Sequence, residues 1–443
     1  LKRLLLAAAI ALATVNTPAL AQAIASPAPS PQPLPIPAEG APWTGSEVDA
    51  LSRDLTSLLR APGLRGAHAG LLVLETRTGR ILFEHNADDD FTPASTLKLV
   101  TGAAALKTLG RDFRFHTAVL ASAAPQSGVL DGDLILRGNG DPLLRRADLQ
   151  AAAAAIAASG LKSVTGSLVC DAGYFDGEPF REGWAWDDLT QYYAVAPSAL
   201  TLGESNNSAT VTAAPSNDAP LGQSVVPDPA IRACTVLRDA LVAKGVDVPG
   251  QPLLGKSPPG ATALWQHDGE PLSKLLADFW YPSDNLVGEV LAKTLGVAHA
   301  GIPGKTAAGI AVEMDFLKSI GVNASTVAIV DGSGLSRYNA VTPRALVQIL
   351  QYEWNSPNRQ TVLDALPVAA SRGSMRNDFA GTPAALRVYA KSGSMTNVAN
   401  LAGYVSTRRH GAITFAFLLD DALGDDAAIA EARARVFSRL ISD

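Results

Sequence analysis

The chain has 443 residues, 47% of them hydrophobic, which is enough for two or three domains with real cores. Its formal net charge of −6, with no polybasic block anywhere, offers no field for nucleic acid. The six histidines (His68, His85, His116, His267, His299, His410) show no metal-ligand spacing and no G-x-S-x-G elbow is present, so a zinc hydrolase or a Ser-His-Asp hydrolase is disfavoured and no cofactor is expected.

In chain order, Lys2 and Arg3 precede an apolar run from Leu4 to Val15, and Ala19-Leu20-Ala21 supplies the small residues a signal peptidase needs. Residues 1–21 therefore read as a secretory signal peptide, too short in its apolar part to span a membrane, and the mature chain is expected to be exported. Residues 22–42 carry proline at nearly every second position over SPAPSPQPLPIP and read as a spacer that cannot pack, with folding starting near Trp43. Residues 68–86, HAGLLVLETRTGRILFEHN, predict two strands joined by a turn at Thr76 to Gly79.

The stretch FTPASTLKLVTGAAAL, residues 91–106, predicts a buried helix beginning near Ser95, with Lys98 less than one turn further on. Residues 118–263 change texture to short β-like pieces, one Ala-rich helix and many turn residues, which reads as one inserted domain or two small ones. Its two cysteines, Cys170 and Cys234, are compatible with one disulfide in an oxidising compartment, although nothing local fixes the pair. Residues 401–420 predict a second hairpin turning at Arg409 to Gly411, and residues 425–441 an amphipathic helix. Both chain ends thus contribute hairpin-plus-helix units to one α/β sandwich, over residues 43–117 and 264–443.

A serine nucleophile without histidine needs another base, and a lysine serves if its amine is neutral. Lowering a lysine from about 10.4 to near 7 takes about 4 to 5 kcal/mol, which desolvation beside a second cation can supply. Ser95 with Lys98 therefore predicts further polar residues and a second lysine downstream. Ser283-Asp284-Asn285 lies ahead of a predicted helix, and Lys391-Ser392-Gly393 follows the strand-like RVYA. Each has an ordinary structural alternative: Ser95, Ser283 and Asn285 as helix caps, Lys391 as an edge-strand charge. Ser159 and Lys162 repeat the S-x-x-K spacing across a helix end. Ser205-Asn206-Asn207 and Ser356-Pro357-Asn358 repeat S-x-N in turn-rich loops.

Together, in the order S-x-x-K, S-x-N and K-[ST]-G, the motifs resemble the active-site signature of penicillin-binding proteins and serine β-lactamases. With LILRGNGDPLL, YYAVAPSALTLGESNN, DGSGLSRYNAVTP and NVANLAGYV, the sequence resembles the D-alanyl-D-alanine carboxypeptidase/endopeptidase family of class C low-molecular-mass penicillin-binding proteins, peptidase family S13.

The resemblance implies an antiparallel sheet sandwiched by helices, with a helical subdomain and inserted β-rich domains. It implies acyl-enzyme chemistry on peptidoglycan stem peptides in the periplasm, and covalent inhibition by β-lactams. Ser95 would be the nucleophile, Lys98 its base, Ser283 a proton relay and Asn285 the residue orienting Lys98. Lys391 would depress Lys98 and, with Ser392, attract the substrate carboxylate. Gly393 would leave room for the substrate, and the amides of Ser95 and Ser394 would form the oxyanion hole. A serine β-lactamase, an esterase of related fold and a non-catalytic peptidoglycan-binding protein remain alternatives. Glu289 is not placed by its spacing as the deacylating base a β-lactamase needs. The sequence leaves monomer and homo-oligomer equally open.

Overall fold

The computed structural model describes residues 31–203 and 228–442. The segment expected to be a signal peptide, the start of the proline-rich stretch and the Ser205-Asn206-Asn207 repeat lie outside the described residues.

Folding begins with helix α1 (Gly45–Leu58), whose Thr44 N-cap and Glu47 form a reciprocal capping box. Strands β1 (His68–Glu75) and β2 (Ile81–His85) make the first hairpin, with Gly79 at φ +72° in its turn. Helix α2 (Lys98–Leu109) follows. The chain then lays down β3 (His116–Ala121), β4 (Val129–Leu130), β5 (Leu134–Gly138), α3 (Arg146–Ala158), β6 (Ser163–Val164), β7 (Leu168–Asp171), α4 (Pro229–Ala243), β8 (Leu253–Leu254) and β9 (Thr262–Asp268). It returns through α5 (Leu272–Trp280), α6 (Asn285–Ala300), α7 (Thr306–Ser319), α8 (Pro343–Asn355) and α9 (Arg359–Ala365). It ends in β10 (Val388–Met395), β11 (Val398–Ser406), β12 (Ala412–Asp420) and α10 (Asp426–Ser442).

The main sheet is antiparallel, in the order β10-β11-β12-β1-β2, so strands from both chain ends close one layer. Alternation along each strand divides the apolar residues between two cores. Leu71 and Val73 of β1 and Phe415 and Phe417 of β12 pack with Leu51, Leu55 and Phe437 of α1 and α10. Leu72, Leu74, Ala416 and Leu418 face the opposite way, into a core with α2, α5, α6 and α8. Both faces are therefore covered, which is why these strands read as nearly continuous apolar runs.

Residues 116–268 hold a second sheet, in the order β8-β7-β5-β3-β9, backed by α3 and α4 through Val119, Leu134, Leu136 and Leu237. Cys170 of β7 is disulfide-bonded to Cys234 of α4, with Cα atoms 6.1 Å apart.

One expectation fails in the proline-rich segment, since its described part is docked rather than free. Leu34 N–H donates to Leu386 O at 2.9 Å, Tyr389 OH donates to Leu34 O at 2.6 Å, and Ser406 Oγ donates to Pro35 O at 3.0 Å. Ile36 packs against the larger core. An extended proline-rich backbone makes no internal hydrogen bonds, so its carbonyls stay available to hydroxyls on the sheet edge.

Candidate active site

The nucleophile candidate does not begin the α-helix. Ala94–Leu97 form a 3₁₀ turn ahead of α2, and Ser95 caps nothing. The turn is held from outside: Asn400 Nδ2 of β11 donates to Thr92 O at 2.8 Å and to Pro93 O at 3.0 Å. Thr96 Oγ1 also donates to Pro93 O, at 2.7 Å, and Ala94 takes φ +46°. This tight turn sets Ser95 at the wall of the cleft, while Lys98 starts the helix beneath it.

Lys98 is fully buried, and its Nζ meets three acceptors: Ser95 Oγ at 2.9 Å, Asn285 Oδ1 at 2.7 Å and Ser333 O at 2.6 Å. The capping alternative for the second motif is also displaced. Asp284 is the N-cap of α6, accepting from Leu286 N at 2.8 Å, so Asn285 is free to face Lys98. Its Nδ2 donates to Tyr193 O at 3.0 Å, which fixes the amide's orientation. Ser283 stands at φ +63°, a left-handed conformation uncommon for serine, and its Oγ accepts from Lys391 Nζ at 2.9 Å.

Lys391 does lie on the edge strand β10, yet it is fully buried and its Nζ also donates to Ser392 O at 2.8 Å. Gly393 is where β10 meets the 3₁₀ turn: a Cβ there would lie 2.6 Å from Pro93 O and 3.1 Å from Ser95 N. Its need for glycine comes from this backbone approach. Ser392 bonds the hydroxyl of Ser374 at 2.9 Å.

Ser95, Ser283, Asn285 and Ser394 line one cleft of about 280 Å³, together with Asp188, Tyr193 and Arg337. Lys98 and Lys391 sit behind its wall. A larger cavity of about 760 Å³ lies over the second sheet at His116, Arg137 and Lys256, away from these groups. Among the described residues, no group of three or more His, Cys, Asp or Glu could hold a metal ion.

The electrostatics refine the expectation for the two lysines. Burial pushes the Lys98 amine down to about 8, opposed by the carboxylates of Asp331, Asp284 and Glu289. Lys391 is pushed well below the ordinary lysine range, by burial and then by the charge of Lys98. Among the described residues Lys98 has three acceptors and nearby carboxylates, whereas the hydrogen-bond partners of Lys391 are a hydroxyl and a carbonyl. Burial is the larger cause for both amines.

No sequence pattern marks Ser333 as an acceptor, because a backbone carbonyl carries no residue preference. Nor does one mark Asp331, which accepts from Gly334 N, Ser336 N, Asn339 Nδ2 and Trp184 Nε1 and so folds its own loop. The decoys stand apart: Ser159 closes α3 and Ser356 closes α8.

An antiparallel sheet between helical layers, with a serine at the head of a buried helix, is a fold of the penicillin-binding-protein and β-lactamase type. The crystal structure of penicillin binding protein 4 (dacB) from Haemophilus influenzae superposes with a TM-score of 0.76 at 24% identity, covering 89% of this chain and 99% of that one. The same protein complexed with a β-lactam gives a TM-score of 0.71 at 22% identity, with the same two coverages. The pattern of the family described as D-Ala-D-Ala carboxypeptidase 3 (S13) matches residues 51–225 and 204–439. A D-alanyl-D-alanine carboxypeptidase from Actinomadura sp. (strain R39) is 32% identical over 428 residues, spanning 82% of this chain and 79% of that protein. The chain belongs to the S13 peptidase family.

Proposed function

We propose that the chain is a serine D-Ala-D-Ala carboxypeptidase and DD-endopeptidase, acting on peptidoglycan stem peptides through an acyl-enzyme on Ser95. The observation that carries this reading is Lys98 Nζ, 2.9 Å from Ser95 Oγ, buried and brought down to about 8. A base must lie within hydrogen-bond reach of the proton it takes and titrate near the working pH, and Lys98 meets both requirements.

Ser95 Oγ attacks the scissile carbonyl and Lys98 takes its proton. The C–N bond then breaks as Ser283, held by Lys391, relays the proton from Lys98 to the departing D-alanine nitrogen, which leaves Lys98 neutral for the next step. The oxyanion lies between the amides of Ser95 and Ser394, where losing one donor costs about 2.7 to 4 kcal/mol in comparable sites. A substrate carboxylate arriving beside Lys391 and Ser392 favours the charged form of Lys391. Repulsion between the two lysines then drives the proton off Lys98, so substrate binding itself prepares the base. Water completes the cycle by hydrolysing the ester.

Penicillin acylates the same serine in this reading, which the β-lactam complex of the Haemophilus protein supports. A β-lactamase needs a base aimed at the ester, but Glu289 is turned to the backbone of Gly332 and Ser333. The Cys170–Cys234 disulfide and the substrate class support an exported, periplasmic enzyme. Among the described residues no helix is long and apolar enough to cross a membrane.

Product analysis on purified muropeptides tests the assignment. The enzyme is expected to release D-alanine from pentapeptides and to open D-Ala cross-links, while the Ser95→Ala variant does neither. Binding without any product overturns the catalytic reading.

A further inference from the structure

Glu289 is fully buried, and the mechanism above does not use it. Its Oε1 accepts from Gly332 N at 3.1 Å and from Ser333 N at 3.0 Å, and the carbonyl of that same Ser333 accepts from Lys98 Nζ at 2.6 Å. Glu289 lies four residues after Asn285 on α6, hence on the same helical face. One face of one helix therefore supplies two of the three acceptors around Lys98: Asn285 directly, and Ser333 through the grip of Glu289 on its peptide.

The surroundings fit a device for placement better than one for stability. Helix and loop touch backbone to backbone, since a Cβ on Gly288 would lie 2.7 Å from Gly332 O. Thr101 of α2, one turn after Lys98, donates to Gly332 O at 2.9 Å, so the loop is pinned to both helices. Glu289 Oε2 has no hydrogen-bond partner among the described residues, and its nearest cation is Arg181 Nε at 3.7 Å. Burial and the nearby Asp331 accordingly raise its carboxyl to about 7. A carboxyl kept in so costly a place is poorly explained as packing.

We propose that Glu289 is a positioning residue for the acylation step, holding the Gly332–Ser333 peptide so that Ser333 O aims the Lys98 amine at Ser95 Oγ. This rests on the reading of Lys98 as the base. The groups facing Lys98 and Glu289 are Asp331 on the loop, Asp284 before α6, Glu313 on α7, Lys391 on β10 and Arg181.

The test compares Glu289→Gln and Glu289→Leu with wild type in the full chain, measuring acylation by a fluorescent penicillin and D-alanine release between pH 6 and pH 10. The glutamine carbonyl still accepts from both amides, so Glu289→Gln is expected to keep its plateau rate within about threefold. Its acid limb is expected to move to lower pH, because a negative charge favouring the Lys98 ammonium has gone.

Glu289→Leu releases the loop and is expected to lose at least about tenfold in acylation and in kcat, with KM little changed, as a misplaced catalytic group does. A folded Glu289→Leu variant acylated within threefold of wild type overturns the proposal. Should that variant not fold, Glu289→Ala, which also removes both acceptors, decides by the same readout: acylation within threefold of wild type overturns the proposal. Ser95→Ala separates the layers, since labelling of that variant sinks the underlying reading. An unlabelled Ser95→Ala beside an unaffected Glu289→Leu sinks only the positioning role.

Discussion

Raising the pH is a direct perturbation of the proposed base. Burial brings Lys98 from 10.5 to about 8, a displacement worth about 3 kcal/mol between its two protonation states. The neutral fraction is then about 1% at pH 6, about half at pH 8 and about 90% at pH 9. If Lys98 must be neutral to take the Ser95 proton, the second-order rate constant for penicillin acylation should rise about fiftyfold from pH 6 to pH 8 and level off above pH 9. The penicillin carboxylate stays ionised throughout this range, so the limb reports the enzyme. Stopped-flow acylation at constant ionic strength measures it. A rate that is flat from pH 6 to pH 8 refutes Lys98 as the titrating base, and one still climbing without a plateau at pH 10 refutes the effect of burial.

Two further outcomes follow from the geometry. Gly393→Ala puts a Cβ 2.6 Å from Pro93 O and 3.1 Å from Ser95 N, so β10 must move off the nucleophile's turn. A stability loss of about 1 to 3 kcal/mol in thermal unfolding and a drop of at least about tenfold in acylation are expected. Glu313, fully buried on α7, is raised from 4.5 to about 8 by burial and then by Glu289 and Asp331. The folded chain thus holds an extra proton between those values, and this contribution is complete below 4.5 and lost as the pH rises through 8. Glu313→Gln should therefore lose less stability than wild type between pH 5 and pH 8, by on the order of a few kcal/mol in denaturant titrations.

The three motifs were legible because side-chain chemistry at short spacing survives in the sequence, and because a lysine base implies a second cation and a relay. The hairpins at Gly79 and Gly411 were legible for a similar reason: both glycines take the positive φ that turns require. What escaped was long-range and carried by backbone. Ser333 O reaches Lys98 across 235 positions, and Asn400 pins Pro93 across 307. Neither contact leaves a local pattern. The proline-rich segment misled because its composition speaks to conformation and not to whether its carbonyls find donors. Glu289 was visible as an acid one turn after Asn285, but the backbone it grips was not.

The most direct measurement of the central claim is the mass of the intact protein after reaction with penicillin, followed by peptide mapping of the adduct. One penicilloyl group per chain, carried by the peptide containing Ser95 and missing from Ser95→Ala, is the predicted result. An adduct on any other residue, or equal modification of wild type and Ser95→Ala, contradicts the assignment of Ser95 as the nucleophile.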